Sequence, residues 1–192
     1  MSSLTHSLYT PEQYLGMERN ADNKAEYANG RIIAMTGASL EHNTITANLV
    51  RVVGNQFVER PCRVFSSGMR VKVAATGLYT YPDVVAVCGE IYFDDAQRDT
   101  IVNPTAIIEV LSPSTEAYDR GEKFAHYRRS VTLAEYVLVA RDKVRIERYV
   151  RHAGTWILTE ISDLDGTLRL GSIGCEVALR DIYDKVASGL TL

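Results

Sequence analysis

Cysteine is scarce in this sequence, and its few copies are not spaced like a metal site. The three cysteines, Cys62, Cys88 and Cys175, are scattered over 192 residues, and no two of them form a CxxC pair. An odd, scattered set argues against a disulfide framework and against a structural zinc site. We therefore expect neither a disulfide framework nor a structural zinc site. We also expect a cytoplasmic location.

Long apolar runs are also missing. No run approaches the ~18 apolar residues that a membrane-spanning helix requires. The N-terminal residues lack a basic segment followed by an apolar one, so we expect no secretion signal. The sequence has 46% hydrophobic and 23% charged residues and no repeat or linker, which predicts a single globular domain over residues 1–192.

The motifs of several enzyme classes are absent. Ser112 and Ser114 lie in no GxSxG segment, which argues against a serine hydrolase. The phosphate-binding patterns GxxxxGK and GxGxxG do not occur, which argues against nucleotide-binding classes. The net charge is −3, so any contact with nucleic acid has to come from a local basic patch or from a groove in a dimer.

The patterns that are present predict alternating helices and strands. Thr10 to Gln13 form a capping box that opens a short helix ending near Met17. Asn29-Gly30, between two strand-like runs, predicts a hairpin turn. A helix over about 40–59 is predicted from an apolar stripe with a spacing of four, formed by Ile45, Leu49, Val53 and Phe57.

The remaining segments complete a prediction of a mixed α/β fold. Strands are predicted at about 63–65, 69–73, 81–87, 105–111, 134–140, 144–150 and 156–161, a loop at 89–104, a helix at 119–129 and a helical turn near 181–186. This order favours a central mixed sheet flanked by helices, with additional β-hairpins.

Two acidic residues lie where the pattern predicts buried strands. Asp83 precedes an apolar run in YPDVVAV, and Glu109 has apolar neighbours on both sides in AIIEVL. An unpaired buried carboxylate costs several kcal/mol, so each must be neutral, paired or bound to a metal. Neighbouring strands lie about 4.8 Å apart, so two such carboxylates could reach one hard cation. Taken singly, a structural role is at least as good an explanation for each.

Lys123 is the third candidate. In DRGEKFAHY, the residues Asp119, Lys123 and Tyr127 share one side of the predicted helix, which directly follows the Glu109 strand. The ammonium could donate to a water or to a phosphate oxygen beside a metal. A solvated pair with Asp119 is the simpler explanation for the lysine on its own.

Two further polar residues are weaker candidates. His42 shares a helix face with Ile45 and Leu49 and should point inward, as many hydrogen-bonded core histidines do. Glu26 precedes the hairpin turn, where a plain surface residue is equally consistent with the pattern.

The segments that carry these residues resemble a known family. YPDVVAVC, AIIEVLSPSTEAYDRGEKFAHYR and TLAEYVLV are similar to the Uma-two family of predicted restriction endonucleases, within the PD-(D/E)XK nuclease superfamily. YTPEQYL, EYANGRIIAMTGAS, EHNTITANL and LRLGSIG extend the similarity over nearly the whole chain. The resemblance implies a restriction-endonuclease-like core and a metal-dependent endonuclease acting on nucleic acid, with DNA as the expected substrate.

The resemblance also implies the roles of the candidate residues. Asp83 and Glu109 become the metal ligands, for Mg²⁺ or Mn²⁺. The superfamily pattern places the lysine two residues after the second acid, where this sequence has Leu111, and Lys123 takes its place. Glu26 and His42 match recurring positions and become further site residues. Because the chain has no recognition motif for nucleic acid, a homodimer with two sites is expected.

Three alternatives stay open at this stage. The chain could be a catalytically silent module on the same fold that binds nucleic acid or protein, and its acidic charge favours this. It could be a metal-dependent hydrolase of a small phosphoester. It could also be purely structural, in which case it would bind neither Mg²⁺ nor Mn²⁺.

Overall fold

A six-stranded sheet forms the centre of the structure, a computed structural model that describes residues 8–186. The strands, in chain order, are β1 (Ala25–Ala28), β2 (Arg31–Ala34), β3 (Cys62–Ser66), β4 (Arg70–Val73), β5 (Leu78–Thr80), β6 (Val84–Cys88), β7 (Thr100–Ile101), β8 (Ala106–Val110), β9 (Glu135–Val139), β10 (Ile146–His152), β11 (Thr155–Ile161), β12 (Thr167–Leu170) and β13 (Cys175–Ala178). The central sheet has the order β11-β10-β9-β8-β6-β3, in which only β8 and β9 are parallel.

Helices and smaller sheets surround this centre. The helices are α1 (Pro11–Glu18), α2 (Leu40–Gln56), α3 (Glu116–Tyr118), a π-helical turn (Asp119–Lys123), α4 (Phe124–Tyr127) and α5 (Leu179–Ile182). A second sheet has the order β2-β1-β5-β4-β7, and β12 pairs with β13. The predicted mixed sheet with flanking helices and hairpins is confirmed. None of the helices within 8–186 is long and apolar enough to cross a bilayer.

The two faces of the central sheet pack against different layers. Side chains alternate between the faces of a strand, so Val84 faces α2, α5 and the β12–β13 hairpin. Val85 faces the second sheet and the helical segment 116–127. The predicted α2 stripe lies entirely in the first of these layers, with Ile45, Leu49 and Val53 fully buried.

Local signals placed the first elements correctly. At the start of α1, Thr10 accepts from Gln13 N–H and the Gln13 side chain accepts from Thr10 N–H, which is the predicted capping box. Asn29 and Gly30 connect β1 and β2 with φ angles of 51° and 81°. Both turn residues have the positive φ that such a two-residue hairpin loop requires.

Other predicted boundaries are wrong. The strand predicted from Tyr81 begins only at Val84, as β6, and β5 (Leu78–Thr80), which precedes it in the second sheet, was not predicted. Pro82 separates them, because proline has no N–H to donate to a ladder. The predicted loop 89–104 contains β7, and α5 begins at Leu179, earlier than the helical turn expected near 181–186.

The expectation that no disulfide would form is also wrong. Cys62 and Cys88 are bonded, while Cys175 is a buried free thiol. The register of β3 and β6 places the two half-cystines directly opposite each other across an antiparallel pair. Cross-strand neighbours are close enough for a disulfide, and scattered sequence positions do not reveal that register.

Candidate active site

A buried ion-pair cluster lies at one edge of the central sheet. The ammonium Nζ of Lys123 is 2.9 Å from Glu109 Oε1, 3.2 Å from Glu26 Oε1 and 3.5 Å from Asp119 Oδ1. None of the four residues is more than 6% exposed. We call them the lysine cluster. Two predicted site residues, Glu109 and Glu26, therefore share one cation, the predicted Lys123.

Lys123 lies on the helical segment 116–127, which packs against the central sheet. The segment begins at Glu116, earlier than the Asp119 predicted, and it contains the π-helical turn Asp119–Lys123. Asp119, Lys123 and Tyr127 are all buried, so the shared side inferred from their spacing faces the sheet. Single π-helical turns inside helices occur frequently at functional sites, and this one carries two members of the cluster.

Asp83 and Glu109 lie side by side on neighbouring strands, and each carboxylate accepts a hydrogen bond from the backbone of the other strand segment. The antiparallel register of β6 and β8 pairs Val84 with Ile108, which brings Asp83 opposite Glu109. Asp83 N–H donates to Glu109 Oε2 over 3.2 Å, and Val110 N–H donates to Asp83 Oδ2 over 2.8 Å. The two carboxylates therefore occupy the same sheet edge.

His42 reaches this edge from the opposite layer. Nε2 of His42 lies 2.8 Å from Asp83 Oδ1, and the histidine side chain is 14% exposed. The residue lies in the first turn of α2, whose N-cap is Ser39. Asp83 thus contacts a histidine from the α2 layer, whereas Glu109 contacts a lysine from the layer on the other face.

Glu26 is a buried member of the lysine cluster rather than a surface residue. It lies on β1, and its Oε1 accepts from the Thr80 hydroxyl and, over 3.3 Å, from Tyr81 N–H. Together with the Lys123 ammonium, these donors satisfy a carboxylate that burial would otherwise destabilise.

Several residues around the cluster were not predicted as site members. The Tyr127 hydroxyl donates to Glu109 Oε1 over 2.9 Å and lies 3.4 Å from Thr80 Oγ1. The Tyr118 hydroxyl is buried and has no hydrogen-bond partner among the described residues. Asp119 and Tyr127 could have been found from their spacing of four with Lys123. No local signal marks Thr80.

The electrostatics of the cluster are dominated by burial. Burial raises the pKa of Glu109, Lys123 opposes the shift, and Asp119 and Asp83 add to it. Burial also raises the pKa of Asp119. Burial alone would lower the pKa of Lys123, but Glu109, Glu26 and Asp119 raise it well above its ordinary value. Lys123 therefore stays protonated, and it is surrounded by more acidic side chains than one ammonium can neutralise if all of them ionise.

This charge imbalance fits a divalent cation. The acidic side chains of Glu26, Glu109 and Asp119 share the single ammonium of Lys123, and Asp83 acts electrostatically on Glu109 and Asp119. No three Asp, Glu, His or Cys side chains within 8–186 are grouped as a complete metal site. However, Mg²⁺ usually takes only one or two protein carboxylates and keeps several waters. Asp83 and Glu109 supply that number of hard oxygen ligands.

Known proteins are similar to this chain over most of its length. A family model, Uma2, described as "Putative restriction endonuclease", matches residues 11–180. Two proteins of Synechocystis sp. (strain ATCC 27184 / PCC 6803 / Kazusa) are similar. "Uncharacterized protein sll1609" is 37% identical over 158 residues, 82% of this chain and 89% of that protein. "Uncharacterized protein slr1290" is 36% identical over 179 residues, 93% of each.

A solved structure shares the fold. It comes from Anabaena variabilis ATCC 29413 and is described as "a putative nuclease belonging to DUF820". Its TM-score with this chain is 0.77 at 17% sequence identity, covering 93% of this chain and 99% of the other. At this identity the similarity shows the fold, and the predicted nuclease-like architecture is confirmed.

Proposed function

Because this chain belongs to the Uma2 family, we propose that it is a metal-dependent nuclease that hydrolyses phosphodiester bonds of nucleic acid, with DNA as the expected substrate. The family resemblance inferred from the sequence motifs is confirmed by the match over residues 11–180. The activity, the metal and the site residues constitute the proposal, and the geometry of the charged residues supports it.

One distance carries the proposal. Lys123 Nζ lies 2.9 Å from Glu109 Oε1, although the superfamily pattern has its lysine on the same strand as the acid. Leu111 occupies that strand position and is buried. The ammonium reaches the same carboxylate from the helical segment instead. The change of backbone position therefore leaves the acid and the cation adjacent.

Asp83 and Glu109 are the residues that would hold the cation, Mg²⁺ or Mn²⁺. Bound there, a divalent ion would lower the pKa of a coordinated water and offset negative charge on the phosphate. Their reciprocal contacts with Asp83 N–H and Val110 N–H orient both carboxylates. His42 holds Asp83 from the other side, as hydrogen-bonded partners of metal ligands commonly do.

Lys123 serves as a fixed positive charge. Its raised pKa keeps it protonated at neutral pH, so it donates hydrogen bonds and does not accept the proton of the attacking water. Donors directed at the position where charge develops on phosphorus oxygens stabilise a transition state. Glu26, held by Thr80 and Tyr81, positions the ammonium by sharing it with Glu109.

We include a homodimer in this proposal. The chain has a net charge of −3, and nucleic-acid affinity depends on neutralising several phosphates. Two copies together would present more basic surface than one. Sedimentation velocity at micromolar concentration tests this part, and a purely monomeric boundary with and without duplex DNA would contradict it.

The activity is tested by incubating the chain with linear and supercoiled DNA and with RNA, in Mn²⁺, Mg²⁺ or EDTA. We expect cleavage only with the metals, and a loss of at least about a hundredfold in Glu109→Gln and Asp83→Asn. Glu160→Gln, at an exposed position of β11, is the matched control. Manganese binding followed by electron paramagnetic resonance gives a readout that does not need turnover.

The outcomes separate the alternatives. Mn²⁺ binding that depends on Asp83 and Glu109, without cleavage of any nucleic acid, would indicate a different phosphoester substrate. Nucleic-acid binding without either metal binding or cleavage would indicate a silent module. The absence of all three would contradict the proposed function.

A further inference from the structure

A cleft lined by basic side chains opens beside the candidate active site. Its volume is about 80 Å³, compared with the roughly 10–15 Å³ that one water molecule needs by the same measure. Its lining includes Leu111 and Ser112 after β8, the basic residues Arg141, Lys143 and Arg145, and the acidic residues Glu116 and Asp142. It therefore begins two positions after Glu109 and admits a group of phosphate size.

The strand topology places this cleft at the same edge of the central sheet as Asp83 and Glu109. β8 and β9 are parallel, and Val110 pairs with Val139, so Leu111 and Ala140 leave the sheet side by side. β6 runs the other way, and its first residue, Val84, also lies at that edge. Strands are about 4.8 Å apart. The turn 140–145 between β9 and β10 is therefore about two strand spacings from Asp83.

An electrostatic effect agrees with this placement. The pKa of Glu41 is lowered by hydrogen bonds from its own backbone N–H and from Ser39, and further by the positive charge of Arg141. Glu41 is the neighbour of His42, which contacts Asp83. Arg141 thus lies close enough to the start of α2 to act on a residue beside the site.

The turn that carries the basic residues is held in place. The Tyr183 hydroxyl lies 3.0 Å from the carbonyl oxygen of Ala140 and 3.1 Å from that of Arg145. It also accepts from Arg145 N–H over 3.2 Å, and Ala140 N–H donates to Arg145 O over 2.9 Å. Tyr183 is buried. A turn fixed in this way can present side chains without a large ordering cost on binding.

The three cations of the cleft differ in their partners. Nη2 of Arg145 lies 3.3 Å from Glu147 Oε1 and 3.7 Å from Glu116 Oε1. Arg141 and Lys143 form no ion pair with any residue of 8–186, although both side chains are half-buried. Two half-buried positive charges left without a carboxylate are suited to an anionic ligand.

We propose that Arg141 and Lys143 bind a phosphate of the nucleic-acid strand next to the one that is hydrolysed, with the Ser112 hydroxyl as a further donor. This inference rests on the proposed nuclease function and names the surface that positions its substrate. It also accounts for how an acidic chain could bind a polyanion, because the two charges act locally beside the site. A phosphate held at the turn 140–145 aligns the strand along the sheet edge toward Asp83 and Glu109.

The test measures binding separately from cleavage. In the full chain carrying Glu109→Gln, fluorescence anisotropy with a fluorescein-labelled 30-base-pair DNA duplex is recorded over a range of NaCl concentrations, in Ca²⁺. Adding Arg141→Ala and Lys143→Ala should lower the affinity roughly tenfold for each contact at 0.1 M salt. It should also reduce the magnitude of the slope of log K against log salt by about 0.9 for the pair, because the two side chains neutralise one phosphate. The charge-preserving variant Arg141→Lys with Lys143→Arg should retain both the affinity and the salt slope of the parent.

A control pair removes the same charge elsewhere. Arg63, on β3 opposite Val87, and Arg129, beyond the end of α4, are exposed and lie away from this edge. Arg63→Ala with Arg129→Ala should leave affinity and slope near the parent values. Circular dichroism melting curves establish that each variant is folded, and Arg141→Gln with Lys143→Gln replaces the alanine pair if it is not.

The possible failures are distinguishable. If the Arg141 and Lys143 variants bind with the same affinity and slope as the control pair, while the parent binds and the wild type cleaves, the phosphate subsite is overturned and the nuclease function stands. If the parent binds no duplex at any salt concentration and the wild type cleaves no nucleic acid, the phosphate subsite and the nuclease function are both contradicted.

Discussion

Lys123 and Glu109 form a buried ion pair, with 2.9 Å between Nζ and Oε1, although one lies in a π-helical turn and the other on a central strand. Neither side chain is more than 7% exposed. The pair is therefore a point where the stability of the fold and the proposed chemistry depend on the same two groups.

Removing the ammonium should destabilise the protein strongly. In Lys123→Met, three buried carboxylates lose their shared cation, and breaking a buried ion pair by removing one partner typically costs about 3–5 kcal/mol. Urea unfolding followed by circular dichroism measures this. The double variant Lys123→Met with Glu109→Gln should lose less than the sum of the two single losses, because it removes the charge that would be left unpaired. Strict additivity would argue against the ion pair.

His42 should act on the site with little effect on stability. His42→Ala removes the contact with Asp83 Oδ1, and loss of a partner that orients a metal ligand typically lowers affinity or activity about 10–100-fold. Manganese titration and cleavage rates measure the change, and thermal unfolding should move little because the side chain is partly exposed. His152→Ala, at an exposed position, is the control. Equal effects of the two variants would contradict the role of His42.

Tyr127 should support Glu109 through its hydroxyl alone. Tyr127→Phe keeps the buried ring but removes the 2.9 Å bond to Glu109 Oε1, and an unsatisfied buried group costs about 1–3 kcal/mol. Chemical unfolding measures the loss, compared with Tyr92→Phe at a position that is 54% exposed. If Tyr127→Phe is as stable as wild type, the hydrogen bond is not a stabilising one.

Acid should weaken the contact between the α1 end and the 94–99 loop. A hydrogen bond from Arg19, with further help from Thr100 and Arg70, lowers the pKa of Asp99 to about 2, against about 3.9 in an unfolded chain. The folded pKa is the lower one, so the stabilisation is present above about pH 4 and is lost as the pH falls toward 2. Asp99 is 35% exposed, so solvent screening reduces the effect to about 1 kcal/mol or less.

The variant Asp99→Asn tests this dependence. Its free energy of unfolding should be lower than that of wild type at pH 7, and the difference should disappear as the pH approaches 2. Asp22→Asn, at an exposed position without an ion pair among the described residues, should show neither change. A difference between Asp99→Asn and wild type that stays constant from pH 7 to pH 2 would contradict the assigned pKa.

The elements predicted correctly from sequence are those whose signal is local. The Thr10–Gln13 capping box and the Asn29-Gly30 turn each specify their backbone within four residues, and the α2 stripe repeats over several turns. The short strands β5 and β7 were missed. β7 exists because Thr100 and Ile101 pair in parallel with Arg70 and Val71, and so few residues carry no periodicity that could predict it.

The candidate site likewise contains residues that a local sequence signal marks and contacts that depend on strand pairing. An acid inside an apolar strand marks Glu109, and the spacing of four links Lys123 to Asp119 and Tyr127. The contact of Glu26 with Thr80 was not predictable, because it depends on the pairing of β1 with β5 in the second sheet. The disulfide between Cys62 and Cys88 depends equally on the register of β3 and β6.

By itself, the sequence determined which residue types were available, which apolar stripes had to be buried, and the order of the longer helices and strands. Those properties follow from hydrophobic periodicity and turn chemistry, which act between near neighbours along the chain. Only the tertiary structure decided that Lys123 meets Glu109 and Glu26, that His42 meets Asp83 from the opposite face, and that Arg141 and Lys143 line a cleft beside them. These contacts depend on strand register and on the packing of two layers around one sheet edge, which no local segment encodes.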